Sequence, residues 1–169
     1  NNNAGGEKSL IYGKTENYVQ ELKMVLRDGN EFTFGKITED ELQNKKNLPG
    51  LEGEIYTEMS RMIGDNYEII KTAKPTVAKN SAGYSLWNIW DKDKKTFDLT
   101  QLFVGAQGTL GLMTQAKFRL VKVRPHSEMV IIFLYDTGHL SKIINHVLPL
   151  NPESFEAYDD NTLKLALKY

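Results

Sequence analysis

Alternation between Tyr18 and Phe34 is the strongest constraint in the chain. Leu22, Met24 and Leu26 alternate with Lys23 and Arg27, Asp28-Gly29 comes next, and Phe32 and Phe34 alternate with Thr33. Successive side chains of a strand point to opposite faces, and an Asp-Gly pair supplies the positive φ of a tight turn, so the segment predicts a β-hairpin. Glu39 to Asn44 then reads as a short helix. Beyond Pro49-Gly50, the residues Leu51, Ile55, Met59 and Met62 fall on one helical face, and Gly64 is placed to end that helix. Lys71 to Gly83 has no clear period. With Pro75, Asn80, Ser81 and Gly83 it reads as an ordered loop, followed by the apolar Tyr84, Leu86, Trp87, Ile89 and Trp90. Asp91 to Lys95 is a charged, solvated turn.

A second pattern starts at Leu102. Gly105, Gly108 and Gly111 punctuate Leu102 to Leu112, and Ala116, Phe118 and Leu120 then alternate with Lys117 and Arg119, as in a loop that feeds a strand. Arg124-Pro125 breaks that pattern. Met129 to Tyr135 is continuously apolar, which predicts a buried strand, and Leu140, Ile143, Ile144, Val147 and Leu148 form an apolar stripe of helical spacing. Ser154 to Ala157 is a further candidate strand. Asp159-Asp160 is placed to cap a last helix that carries Leu163 and Leu167 on one face. The expected fold is α+β, with a mainly antiparallel sheet flanked by helices over residues 1–124 and the start of a second α+β domain over residues 125–169.

Bulk properties narrow the classes of function. The 169 residues suffice to bury about two-thirds of the surface that the unfolded chain exposes. A formal net charge of -1 gives no general attraction for polyanions, so nucleic acid is not an expected partner. Without cysteine there is no disulfide, thiolate metal site or cysteine nucleophile. The compartment stays open on that ground, with the cytoplasm as the default expectation. Met129 to Tyr135, the longest apolar run, is too short to cross a bilayer, and no basic stretch precedes an apolar one at the N-terminus, so no transmembrane segment is expected. The opening Asn1-Asn2-Asn3-Ala4-Gly5-Gly6 reads as the middle of a loop and predicts a piece of a longer protein, by cleavage or by removal of a leader.

Two glycine-rich segments stand out chemically, Asn3-Ala4-Gly5-Gly6 and Gly105-Ala106-Gln107-Gly108-Thr109-Leu110-Gly111. A dinucleotide cofactor needs close approach by backbone N–H groups, which glycine and other small residues permit. Turns also collect glycine, and on composition alone both readings stand. Neither segment matches the strand, G-x-G-x-x-G, helix fingerprint of a Rossmann site.

The order of four segments resembles FAD-linked oxidases of the vanillyl-alcohol oxidase and p-cresol methylhydroxylase type. Asn2-Asn3-Ala4-Gly5-Gly6 followed by Tyr12-Gly13 is similar to the family's small-residue loop and Tyr-Gly pair, and Val25-Leu26-Arg27-Asp28-Gly29 to the strand and Asp-Gly turn beyond it. Lys79-Asn80-Ser81-Ala82-Gly83-Tyr84 resembles the family's Lys-Asn-x-x-Gly-Tyr segment. Leu102 to Leu112 resembles its most recognisable motif, Leu-Phe-x-Gly-Ser-Glu-Gly-Thr-Leu-Gly-Ile, with Ala106 and Gln107 in place of Ser and Glu. That exchange removes a hydroxyl and a charge and bears on how firmly the loop is held. The nearest branch is the one with glycolate oxidase, D-lactate dehydrogenase and D-2-hydroxyglutarate dehydrogenase, over residues 2–123.

The resemblance implies FAD as cofactor, and a parent enzyme that oxidises a 2-hydroxy acid by hydride transfer to flavin and passes electrons to a separate acceptor. It implies that residues 1–124 are the second half of the FAD-binding domain and 125–169 the beginning of the substrate domain. Ala4, Gly5 and Gly6 would line the flavin, Asn2 and Asn3 would hydrogen-bond in the same loop or serve as turn residues, and Gly108, Thr109, Leu110 and Gly111 would pack along the cofactor. Lys79, Asn80 and Tyr84 serve either the cofactor or the backbone of their own loop. No catalytic residue is expected within the chain, because the general base and carboxylate clamp would belong to the absent region, and the isolated chain is expected to be inactive. The parent would be cytoplasmic or peripheral to a membrane.

Other residues carry plainer readings. His139 and His146 lie on a similar side of an amphipathic helix, yet neither they nor His126 have a third ligand nearby in sequence, so no metal site is assigned. Trp87 and Trp90 suit a core face, or a cover over a cofactor. Ser81, Ser127 and Ser154 have no triad partner in sequence. The rival to the flavoenzyme reading is a non-catalytic α+β binding or interaction module with a closed core, whereas a piece of an enzyme would expose an apolar patch.

Overall fold

The computed structural model describes residues 3–77 and 80–169. They form two compact units, residues 3–4 with 14–121, and residues 5–13 with 122–169. The second unit holds the one-turn helix α1 (Ser9–Tyr12).

In the first unit the expected hairpin forms as β1 (Val19–Val25) and β2 (Glu31–Thr38), antiparallel with Leu22 opposite Phe34 and Met24 opposite Phe32. Leu22, Met24 and Phe34 are buried together. The end of β2 starts α2 (Glu39–Lys46) through a reciprocal cap, because the Glu41 N–H donates to Thr38 Oγ1 at 3.2 Å and the Thr38 N–H to Glu41 Oε2 at 2.7 Å. Two otherwise orphaned helix-entry donors are thereby satisfied. The Thr38 N–H, and the Thr38 hydroxyl at 3.0 Å from the same oxygen, hold the exposed Glu41 carboxyl below its ordinary pKa.

Helix α3 (Leu51–Asp65) forms as expected, but its buried face runs through Tyr56, Ser60 and Ile63, with Leu51, Ile55 and Met59 half-buried and Met62 exposed, and Gly64 does not end it. A Cβ at Gly64 would sit 3.4 Å from the Trp90 ring, an ordinary contact, and the helix continues to Asp65. Helix α4 (Tyr67–Thr72) comes next and takes up the first two residues of the expected loop at Lys71 to Gly83. Then come β3 (Trp90–Asp91), β4 (Thr96–Asp98), the one-turn helix α5 (Thr100–Phe103) and β5 (Leu112–Phe118). The sheet order is β3-β4-β2-β1-β5, and all neighbouring pairs are antiparallel.

One sheet face is covered and the other is polar. On the covered face, Phe34 lies 4.6 Å from Phe103 and 6.2 Å from Tyr56 between ring centroids, and Tyr56 lies 6.3 Å from Phe97. Trp90 meets Phe97 edge-on at 5.6 Å, which places it in the core and not over an open site. On the opposite face Glu31 receives the Thr114 hydroxyl at 2.6 Å and pairs with Lys23 at 3.9 Å. Such a division is what an antiparallel sheet allows.

The second unit is more open. Glu153 takes Lys8 at 3.3 Å and the Tyr12 hydroxyl at 3.4 Å, which ties α1 to the later segment. Helix α6 (Leu140–Val147) keeps its apolar stripe half-buried, and α7 (Asp160–Lys168) is capped by Asp159, whose Oδ1 accepts the Thr162 N–H at 2.7 Å. Two expected strands do not form. Met129 to Tyr135 is irregular and forms no strand, and its large side chains are 43% to 109% exposed. Ser154 to Ala157 is also irregular. A strand without alternation needs both faces covered, and among the described residues of this unit no strand is available to pair with it.

Within the first unit, the Tyr56 hydroxyl is buried without a hydrogen-bond partner among the described residues, and burial, helped by the negative charges of Glu52 and Asp98, pushes the phenol well above its ordinary pKa. Tyr56→Phe removes the unsatisfied hydroxyl and keeps the ring contacts. It is expected to raise unfolding stability by about 1 kcal/mol in urea titration; a loss of stability would show that the hydroxyl is paired.

Candidate functional site

The glycine loop is positioned by the aromatic core. The buried Asp98 carboxylate accepts both the Thr100 N–H at 3.0 Å and the Thr100 hydroxyl at 2.6 Å, fixing the turn from β4 into α5. Phe103, wedged against Phe34, is the last residue of α5. The loop then closes on itself, since the Ala106 N–H donates to the Phe103 carbonyl at 3.1 Å, and the Thr109 N–H and hydroxyl return to the Ala106 carbonyl at 3.0 and 2.6 Å. Ala106 is buried while Gln107 is exposed. Thr109 closes the loop on the backbone carbonyl of Ala106, a bond that does not involve the side chain at that position.

Two of its three glycines, Gly108 and Gly111, have different physical reasons. Gly108 has φ +83 and open space where a Cβ would stand, on the exposed side of the loop. At Gly111 a Cβ would meet the Val25 carbonyl oxygen and Leu26 Cδ2, each at 2.8 Å. Gly111 lets the start of β5 lie against β1, whereas Gly108 leaves backbone accessible. Beside them an open cleft of about 280 Å³ runs between the hairpin end and the loop, lined by residues 25–27 and 108–112. A second, of about 430 Å³, lies on the α3 side of Leu110, with Leu51 and Ile55 in its wall.

A polar cluster joins this loop to two other predicted segments. Asn3, only 3% exposed, donates from Nδ2 to Glu16 Oε2 at 2.6 Å and accepts the Glu16 N–H at 3.0 Å. Lys14 reaches Glu16 Oε1 at 3.0 Å and the Asn80 carbonyl at 2.5 Å. Gln101, on α5, donates to the Glu16 carbonyl at 3.2 Å. Tyr84 completes the linkage, its hydroxyl 2.8 Å from that of Thr109. Thus Asn3, Asn80, Tyr84 and Thr109 are brought into one connected region, and Ala4 is exposed at its margin. Gly5 and Gly6 fall in the second unit, and Asn2 and Lys79 lie outside the described residues. Sequence reasoning missed Lys14, Glu16 and Gln101, which have no period or motif of their own. The histidines engage locally, His139 with Asp136 at 3.8 Å and the His146 ring with the Lys142 carbonyl at 2.7 Å.

No family model matches the chain, and no solved structure matches it significantly. Curated relatives do. It is 31% identical over 168 residues to a D-2-hydroxyglutarate dehydrogenase of Pantoea ananatis, covering 98% of this chain and 16% of that protein. It is 30% identical over 169 residues to the protein of the same name from Pseudomonas putida, covering 99% and 17%. Against glycolate oxidase subunit GlcD of Bacillus subtilis it is 27% identical over 172 residues, covering 100% of this chain and 25% of that one. These relatives, of the FAD-linked oxidase family, match nearly the whole of this chain. It corresponds to one segment of them, spanning between 16% and 25% of their length, and the similarity runs along almost the whole chain instead of stopping near residue 123. Among the described residues no helix is long and apolar enough to cross a membrane.

The two glycines can be separated by mutation. Gly111→Ala drives a methyl into the β1 backbone and is expected to cost about 3 kcal/mol of stability in chemical denaturation. Gly108→Ala meets open space and bears only the strain of positive φ, about 1 to 2 kcal/mol. Equal losses would show that the close approach of Gly111 to Val25 and Leu26 does not matter.

Proposed function

We propose that residues 1–124 form the second half of an FAD-binding domain and residues 125–169 the start of a substrate domain, in an enzyme that oxidises a 2-hydroxy acid of glycolate or D-lactate type. The observation that carries this reading is the exposed Gly108 backbone at the mouth of a cleft, within the segment that resembles the family's glycine motif. The names of the relatives support the reaction class. The exposed run Met129 to Tyr135 supports a chain that packs against further protein, in preference to a self-contained binding module.

The fit to a flavin dinucleotide is local and specific. Gly108 has no side chain to hold a flat group away from the backbone, Thr109 closes the turn that presents it, and Leu110 gives an apolar wall to the clefts on both sides. Gly111 contributes by keeping β1 and β5 close beneath the loop. Asn3 and Ala4 flank the same region, with Asn2, Gly5 and Gly6 assigned to the cofactor by the motif. FAD held there would supply a hydride acceptor for the hydroxy-acid carbon and a route for electrons to a separate acceptor. This chain's residues orient the cofactor and exclude water from one side of it. The general base and the substrate carboxylate clamp are assigned to the rest of the enzyme, which we place in the cytoplasm or at a membrane periphery.

The full-length protein is expected to copurify with FAD and to bleach in its flavin band when given a suitable 2-hydroxy acid. A colourless protein that cannot be reconstituted with FAD would sink the proposal. Gly108→Val in that protein should strip the flavin and leave a folded chain, whereas retained flavin would reduce the loop to a turn.

The 169-residue chain alone is expected to bind FAD weakly, because a dinucleotide draws affinity from many simultaneous contacts. Charge-assisted hydrogen bonds contribute about 1.5–3 kcal/mol each, so loss of two weakens binding about a hundredfold or more. Flavin fluorescence titration checks this, and low-micromolar binding by the chain would contradict it.

A further inference from the structure

We infer that Glu16 is a positioning residue for the cofactor loops, acting through the segments that meet on it. Its carboxylate divides its work, one oxygen taking Asn3 Nδ2 at 2.6 Å and the other Lys14 Nζ at 3.0 Å. Its backbone is used as well, with the N–H donating to Asn3 Oδ1 and the carbonyl accepting from Gln101 Nε2. The side chain is only 10% exposed and that of Lys14 16%, so water screens the pair little.

Each partner leads to a different segment of the first unit. Asn3 lies beside Ala4, Lys14 grips the Asn80 carbonyl of the segment that reaches Thr109 through Tyr84, and Gln101 lies on the helix that enters the glycine loop. An ordinary structural ion pair would join two elements, whereas this one fixes three loops whose backbones must keep one arrangement to meet a single rigid ligand. Because such a ligand gains affinity when its site is already ordered, loss of Glu16 should appear in cofactor affinity more than in overall stability.

The inference rests on the flavin reading, and the experiment separates the two. In the full-length protein, Glu16→Ala is expected to speed amide exchange at residues 80–84 and 101–106 by about tenfold, leave exchange in β1 and β2 unchanged, and weaken FAD binding by about tenfold. Glu16→Gln keeps an oxygen for only one of Asn3 and Lys14 and removes the charge that balances Lys14, so it should recover part, but not all, of the FAD affinity lost in Glu16→Ala. Asp65→Ala, which removes an exposed ion pair on α3, should change neither readout. A uniform rise in exchange, unchanged exchange at the two loops, unchanged FAD affinity in Glu16→Ala, or no recovery in Glu16→Gln overturns the assignment. A wild-type protein that takes up no FAD overturns the flavin reading instead, and the exchange pattern then decides alone whether Glu16 orders the loops.

Discussion

The contact of Phe34 with Phe103 underlies the organisation of the first unit. Phe34 projects from the inner face of β2, is fully buried, and meets the last residue of α5 at 4.6 Å. Burial of two such rings contributes on the order of several kcal/mol and fixes where α5 ends against the sheet. The glycine loop therefore begins at a point set by the core. Beyond Phe103 the chain needs only its own short turn, closed by Thr109 on Ala106, to present Gly108 outward. The rigid part of the site is inherited from the sheet, and the adaptable part spans a few residues.

Local patterns made much of this legible. The alternation from Leu22 to Phe34 gives the hairpin, because a single buried face admits no one-residue slip in register. The spacing of Leu51, Ile55 and Met59 gives α3, and Asp159 gives the cap of α7. Thr38 and Glu41 carry a capping box at the entry to α2 that the reading of the sequence passed over. Within the loops, the glycine motif can be matched as a string, but the separate tasks of Gly108 and Gly111 depend on whether Val25 and Leu26 lie beneath, a distance no spacing records.

The departures from expectation share one cause, which is that a local signal is answered, or left unanswered, by a distant partner. Gly64 has the look of a helix end, yet it packs beside the ring of Trp90 and α3 runs on to Asp65. Met129 to Tyr135 has the composition of a buried strand but, among the described residues, no strand in its unit to pair with, so composition alone does not make one. Glu16 carries no signal in the sequence for the same reason, since Asn3, Asn80 and Gln101 reach it or its neighbour Lys14 from remote points of the chain.

That remoteness has a kinetic side. The Asn3–Glu16 bond closes a separation of 13 residues, Lys14–Asn80 one of 66, and Glu16–Gln101 one of 85. For a flexible chain the entropy of closure grows with the logarithm of loop length, so the longest of these contacts costs about 2 kcal/mol more to close than the shortest. The hairpin and its packing against α5 shorten the effective loop before Gln101 can reach Glu16. In a chain still collapsing, Asn3 can find Glu16 early, while the arms to Asn80 and Gln101 wait for the sheet, which makes the finished cluster a late event in folding and a sensitive indicator that folding is complete.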